Sequence, residues 1–353
     1  MPVSLAQSLS AGKFAVAAAP PNQVLFDAMK AVMQAIHLFG KKSVASFILA
    51  FFLLAGAAVE PAELTTIRLG HNGLTSEIPF YVGRDAGIFA KHGFNLEPIL
   101  ITGGSTTIQA LLGKSLDLLL GGATPMLSAV LHGAQLKIIA GLNNRIPFGL
   151  LSQTEIRTGA QLKGKKIGIT RFGSNLDFIA RLAAAEFGLN PKTDITILQI
   201  GSPDARLSAL RSGAIDATFF NLEQTMVAKK MGYNLLLDFV EKDIEYAHIA
   251  VIARDDTLKT QPELVRRFLR AYVEAIRYHK THKDEAVKKS LQLQKGLDRQ
   301  IAEQAYHINL KTLPDDARVT VKGVQLVIDA AALEDPKAKN YTPQQLMDLS
   351  FLP

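Results

Sequence analysis

Lys166-Ile167-Gly168-Ile169-Thr170, Gly188-Leu189-Asn190, an apolar run over 195–200 closed by Gly201-Ser202, then Ala209-Leu210 and Ile215-Asp216 decide the fold. They do so because the chain has already made the same statement about a hundred residues earlier. There the series is Thr66-Ile67-Arg68-Leu69-Gly70, Gly93-Phe94-Asn95, a run over 96–101 leading into Gly103-Gly104-Ser105, Ala110-Leu111 and Leu116-Asp117. Each series reads strand, helix, strand, helix, strand, with short apolar runs alternating with helix-length segments that end at glycine. A unit repeated in this way predicts two similar lobes. A crevice between lobes is a preferred place to hold a small ligand.

Working outward, the alternation predicts a mostly parallel α/β sheet in each lobe. Helix starts are expected at Thr75 or Ser76 (with Pro79 in the first turn), at Ser105, at Thr124-Pro125, at Gly173-Ser174, at Ser202-Pro203-Asp204 and at Asn221. Each offers a side chain able to accept a free N–H, or a proline that has none to lose. From about Tyr246 the pattern changes. An apolar strand over 248–253 gives way to a long amphipathic helix opened by Pro262, then to helices over 283–293, 298–310 and 319–333. This tail is expected to return and pad the first lobe. Lobe 1 would then comprise 65–150 and 249–353, and lobe 2 would comprise 156–245. The two crossings would lie near 148–155 and 243–248.

Hydrophobic content of 48% and charged content of 20% are ordinary for a globular protein with a large core. Net charge is +7, and four lysines against one aspartate precede Ala58, so part of that excess belongs to the N-terminal region. No dense basic run interleaved with aromatics is present, which argues against nucleic acid. Cysteine is absent. Disulfides, thiolate-bound metals, cysteine nucleophiles and the acylated cysteine of a lipoprotein are therefore excluded. Lys41-Lys42, an apolar run over 44–54 and Ala55-Gly56-Ala57-Ala58 have the parts of a secretory signal. The run is short of the twenty or so residues that a membrane span needs. Residues 1–57 are accordingly expected to be a leader absent from the mature protein.

Several segments resemble the periplasmic substrate-binding proteins of ABC importers, in the nitrate/sulfonate/taurine group with the type II fold. They are Phe80-Tyr81-Val82-Gly83-Arg84-Asp85-Ala86-Gly87-Ile88-Phe89 with His92-Gly93, Gly104-Ser105, and Leu116-Asp117 before Gly121-Gly122-Ala123-Thr124-Pro125. Further on come Leu162-Lys163-Gly164-Lys165-Lys166-Ile167-Gly168, Gly173-Ser174, Gly213-Ala214-Ile215-Asp216-Ala217 and Asp348-Leu349-Ser350-Phe351-Leu352. The resemblance implies two Rossmann-like α/β lobes on a two-crossing hinge, closing like a flytrap on a small ligand. It implies a monomer in the periplasm that delivers its ligand to an inner-membrane permease, without catalysis or cofactor. Enzymes on the same fold and ligand receptors for sensor kinases are the alternatives. The iron-binding synthases of this superfamily need a cysteine-rich segment that this chain lacks.

Ligands of open α/β sheets sit beyond the carboxyl ends of the strands, against helix N-termini whose free N–H groups suit anions. Segments at matching family positions are Ser76-Glu77, Gly104-Ser105-Thr106, Thr124, Ser174-Asn175 and Asn221. Arg171, between a strand and a helix start, is the charged candidate for an anionic ligand, and Phe172 beside it is a candidate apolar wall. Glu77 and Glu223 point the other way: facing the ligand, they would favour a cationic or hydroxyl-bearing one. No metal-ligand spacing is visible. Tryptophan is absent, and Asn221-Leu222-Glu223-Gln224 replaces the acidic or proline-led aromatic segment of sulfonate binders. Nitrate-like anions, aromatic carboxylates and pyrimidine-type ligands remain open.

Overall fold

In the computed structural model the described residues are Lys30, 63–71, 77–242 and 244–353. The chain falls into two units, Met1–Ala62 and Glu63–Pro353, and both sheets with their helices belong to the second. The expected leader and the helix start at Thr75 or Ser76 lie outside the described residues, as does Asp243.

Ten strands form two sheets. The first five in sequence are β1 (Thr65–His71), β2 (Phe94–Leu100), β3 (Leu118–Gly121), β4 (Leu136–Arg145) and β5 (Phe148–Ser152). Then come β6 (Lys165–Ile169), β7 (Ile195–Gln199), β8 (Ala217–Asn221), β9 (Asn234–Asp238) and β10 (Glu245–Arg254). The sheet orders are β2-β1-β3-β10-β4 and β7-β6-β8-β5-β9. The repeat read from the sequence therefore extends to topology, with β1, β2 and β3 answering to β6, β7 and β8.

Two repeated residue pairs show why the motif recurs. In each lobe an aspartate precedes the third strand and accepts a backbone N–H from the first. Asp117 Oδ2 takes Arg68 N at 2.8 Å, and Asp216 Oδ2 takes Lys166 N at 2.7 Å. The residue before that aspartate fills a strand glycine's missing side chain. A Cβ on Gly70 would meet Leu116 Cδ1 at 2.2 Å, and one on Gly168 would meet Ile215 Cδ1 at 2.5 Å.

The sheets are mixed rather than mostly parallel. β10 runs antiparallel to β3 and β4, and β5 runs antiparallel to β8 and β9. In both lobes the odd strand has just arrived from the other lobe, so it enters from the hinge end. The crossings are accordingly Ile146-Pro147 and residues 239–244. Phe148 already pairs with Asn221 in the second sheet, and Glu245 already pairs with Arg145 in the first. Residues 148–150 thus belong to the second sheet and 245–248 to the first, because each strand begins as soon as its crossing ends.

Helix Pro262–Thr281 packs on the first sheet for reasons legible in its sequence. Pro262 and Glu263 suit its first turn, and Val265, Phe268, Leu269, Tyr272, Val273 and Ile276 recur at helical spacing and are buried. At about 1.5–3 kcal/mol for each large apolar side chain removed from water, this one face is a major part of the lobe's stability. The same face carries His279 inward at the last turn. The tail also reaches the second lobe, because helix Arg299–Leu310 contacts helix Leu222–Lys230.

Candidate ligand-binding site

Two groups of residues meet where the lobes face each other. The first is a polar mesh beside the hinge. Asn175, in the first turn of helix Asn175–Glu186, reaches from the second lobe to β10 of the first. Its amide donates to the His248 carbonyl at 2.9 Å and lies 3.1 Å from His248 Nδ1. An amide N–H only donates, so Nδ1 accepts and the neutral ring carries its proton on Nε2. Tyr246 donates to Asn175 Oδ1 at 3.0 Å and lies 2.9 Å from Thr124 Oγ1, which must then donate to it. Every member of the relay is satisfied. Burial lowers the His248 ring to about 3 and raises the Tyr246 phenol. Phe178 stacks on Tyr246, with ring centroids 4.9 Å apart. Glycine makes this contact possible: a Cβ on Gly122 would fall 2.1 Å from Asn175 Oδ1.

The second group lines a small cavity. One wall is Ile78 and Pro79, at the start of helix Ile78–Asp85, together with Asn143 on β4. His279, Ser290, Tyr306, Asn309, Thr312 and Leu313 come from the C-terminal tail, and Glu223 closes the cavity from the second lobe. Its volume is about 10 Å³, room for roughly one water. Glu223 is 1% exposed, and burial raises its carboxyl to about 7 against the pull of Gln294, which hydrogen-bonds it. Its Oε2 has no hydrogen-bond partner among the described residues. His279 is 3% exposed, burial lowers its ring to about 4, and its Nδ1 is likewise without a partner among the described residues. Most other polar groups here are committed to the protein. Tyr306 donates to the carbonyls of His279 and Lys280 at 3.0 and 2.9 Å. Asn143 donates to Thr312 at 3.3 Å, and Thr312 donates to the Asn309 carbonyl at 2.8 Å.

The residues expected from sequence divide between these groups and the rim. Ser76 lies outside the described residues. Glu77 is buried at the start of helix Ile78–Asp85, beside the cavity wall. Glu223 lines the cavity itself, and Asn221 caps its helix by accepting Gln224 N–H at 2.9 Å. Thr124 and Asn175 belong to the hinge mesh. Arg171 and Phe172 are exposed at the rim, the latter by 51%. Ser105 bridges to the Phe172 carbonyl at 3.4 Å, and the Arg171 side chain lies against Gly103. Gly104 and Thr106 share the first turn of helix Gly104–Leu112. The cap of that helix is Gly103 rather than Ser105, because its φ of +95° is backbone that glycine adopts freely.

The expected oxyanion cradle at Gly173-Ser174 is filled by the chain's own groups. Gly173 N–H donates to Asp177 Oδ2 at 2.9 Å, and Ser174 Oγ donates to the Arg171 carbonyl at 2.6 Å. Sequence reasoning missed Asn143, His279, Tyr306 and Thr312. Nothing in their local sequence distinguishes them from core and surface positions of a padding tail.

A profile of the NMT1/THI5-like family matches residues 75–286, well over half of the chain. The chain belongs to the NMT1/THI5-like family. Among its relatives is a putative aliphatic sulfonates-binding protein of Bacillus subtilis, 27% identical over 276 residues, which are 74% of this chain and 81% of the relative. The fold is that of periplasmic binding proteins. The alkanesulfonate-binding protein SsuA of Xanthomonas axonopodis, bound to MOPS, superposes with a TM-score of 0.66 at 20% identity over 81% of this chain and 96% of its own. The nitrate-binding protein NrtA of Synechocystis does so with a TM-score of 0.67 at 16% identity, over 82% and 87%. This NMT1/THI5-like chain therefore shares its architecture with proteins named for binding rather than for turnover.

Proposed function

We propose that this chain is an extracytoplasmic solute receptor that captures a small molecule between its lobes and delivers it to the permease of an ABC importer. The observation that carries the reading is the cavity walled by the first lobe and its tail on one side and by Glu223 on the other. A solute held there touches both lobes, and so favours the closed arrangement by its difference in affinity for the two states. With room for about one water, the cavity admits a solute only when the lobes part at the two crossings. Glu223, His279, Tyr306 and Asn143 are assigned to ligand contact, with Arg171, Phe172 and Ser105 at the entrance. The family membership and the names of the relatives support the reading, and they make sulfonates and nitrate members of any test panel. The chain is proposed to act as a monomer in the periplasm after removal of residues 1–57, giving a mature start near Ala58 that N-terminal sequencing of secreted material would reveal. Native mass spectrometry of protein purified without denaturation should find a bound solute. Small-angle scattering should show a smaller radius of gyration when that solute is restored to stripped protein. No bound solute and no response across a broad panel would defeat the proposal.

A further inference from the structure

We infer that the ligand places an N–H group against the Glu223 carboxyl, an inference that rests on the receptor reading above. Three independent features of the site converge on this. First, a fully buried carboxyl oxygen, Glu223 Oε2, has no partner among the described residues and lines the only wall contributed by the second lobe. Leaving such an acceptor unpaired is costly, and a donor from the ligand removes the cost. Second, the cavity offers acceptors and withholds donors. Tyr306, Thr312 and Asn143 already give their hydrogens to protein oxygens. Neither lysine nor arginine is among the lining residues. An oxyanion placed there would meet a buried carboxyl with no compensating cation, the arrangement that burial penalises most.

Third, the helix starts that could have held an anion carry acids of their own. Glu77 stands at the start of helix Ile78–Asp85. Asp177 occupies the first turn of helix Asn175–Glu186 and takes Gly173 N–H. Glu223 occupies the first turn of helix Leu222–Lys230. These carboxylates already use the positive ends that an anionic ligand would need. The class of ligand is therefore one bearing an amine, an amidine or a ring N–H, whatever other groups it carries.

The test uses the full chain, stripped of solute. Benzamidine and benzylamine are compared with benzenesulfonate, benzoate and nitrate by thermal shift and calorimetry, alongside any co-purified solute identified by mass. Expected is binding by N–H-bearing members, weakened about ten-fold or more in Glu223→Gln and further in Glu223→Leu, as loss of a charged hydrogen-bond partner implies. Should Glu223→Leu fail to fold, the near-isosteric Glu223→Gln decides alone. A solute that binds wild type and both variants equally overturns the inference and leaves the receptor standing, as does preference for the anions. Absence of any bound or binding solute overturns the receptor reading and this inference with it.

Discussion

Gly122→Ala should act as a wedge between the lobes. The backbone at Gly122 is extended, φ −79° and ψ 145°, so alanine brings no conformational strain of its own. The added Cβ would sit 2.1 Å from Asn175 Oδ1 and 2.4 Å from Nδ2, so the amide must move. That amide is the end of a side chain and could swing aside cheaply were it not tied down. Moving it breaks the 2.9 Å bond to the His248 carbonyl and the 3.0 Å bond from Tyr246. At about 1 kcal/mol each, the loss is about 2 kcal/mol, or roughly thirty-fold in an equilibrium. Asn175→Ala removes the same two bonds and should cost a similar amount. The double variant is the discriminating case, because once Asn175 is truncated the new Cβ has nothing to strike. Urea-unfolding free energies of the four proteins should show the double variant costing no more than the larger single variant. A coupling of this size is normal for residues in direct contact and abnormal for independent ones. If the two single costs simply add, Gly122 and Asn175 are not in contact across the lobes and the proposed mesh is wrong.

Three other outcomes are expected from the same geometry. The Glu223 carboxyl, near 7 when folded against 4.5 ordinarily, holds its proton in the native state after the unfolded chain has lost it, so its contribution to stability falls as pH rises from about 4.5 through 7. The stability difference between Glu223→Gln and wild type should therefore grow in favour of the variant between pH 5 and pH 8, by up to a few kcal/mol, and a flat difference by urea titration would contradict the burial. The His248 ring, pushed to about 3 by burial, should show no titration by NMR between pH 8 and pH 5, whereas a midpoint near 6.5 would place it in contact with water. Gly141→Ala should cost about 1–3 kcal/mol, because its Cβ would press within 2.9 Å of the Val319 backbone, which unlike a side-chain tip cannot swing away. Unchanged thermal stability would show that the segment is free to shift.

The fold was legible where local chemistry repeats. Leu116-Asp117 and Ile215-Asp216 mark the third strand of each lobe, since the aspartate must reach a neighbouring N–H and the residue before it must fill a glycine. Ser202 and Asn221 cap their helices as their side chains suggest, accepting N–H groups at 3.2 and 2.9 Å. What escaped depends on pairing over long distances. No periodicity announces that β10 runs antiparallel between β3 and β4. A glycine two residues before Ser105 displaced it as cap, because permissive backbone can outweigh a favourable side chain. The cavity was least visible of all. Glu223 meets His279, Tyr306 and Thr312 only because the tail folds back across the lobe junction, and each of these reads in isolation as an ordinary helix or loop residue.

The placement of β10 also sets an order of assembly. The second sheet is drawn entirely from residues 148–238 and can close as soon as that stretch exists. The first sheet cannot. Until Glu245–Arg254 arrives, β3 and β4 lack their shared neighbour and each presents an open hydrogen-bonding edge. Such edges invite pairing with other chains, and contacts so distant in sequence form slowly. The half of the molecule that leaves the ribosome first is therefore the half completed last. Its exposed strands are where a chaperone would find the unfinished chain, and where aggregation would begin if none did.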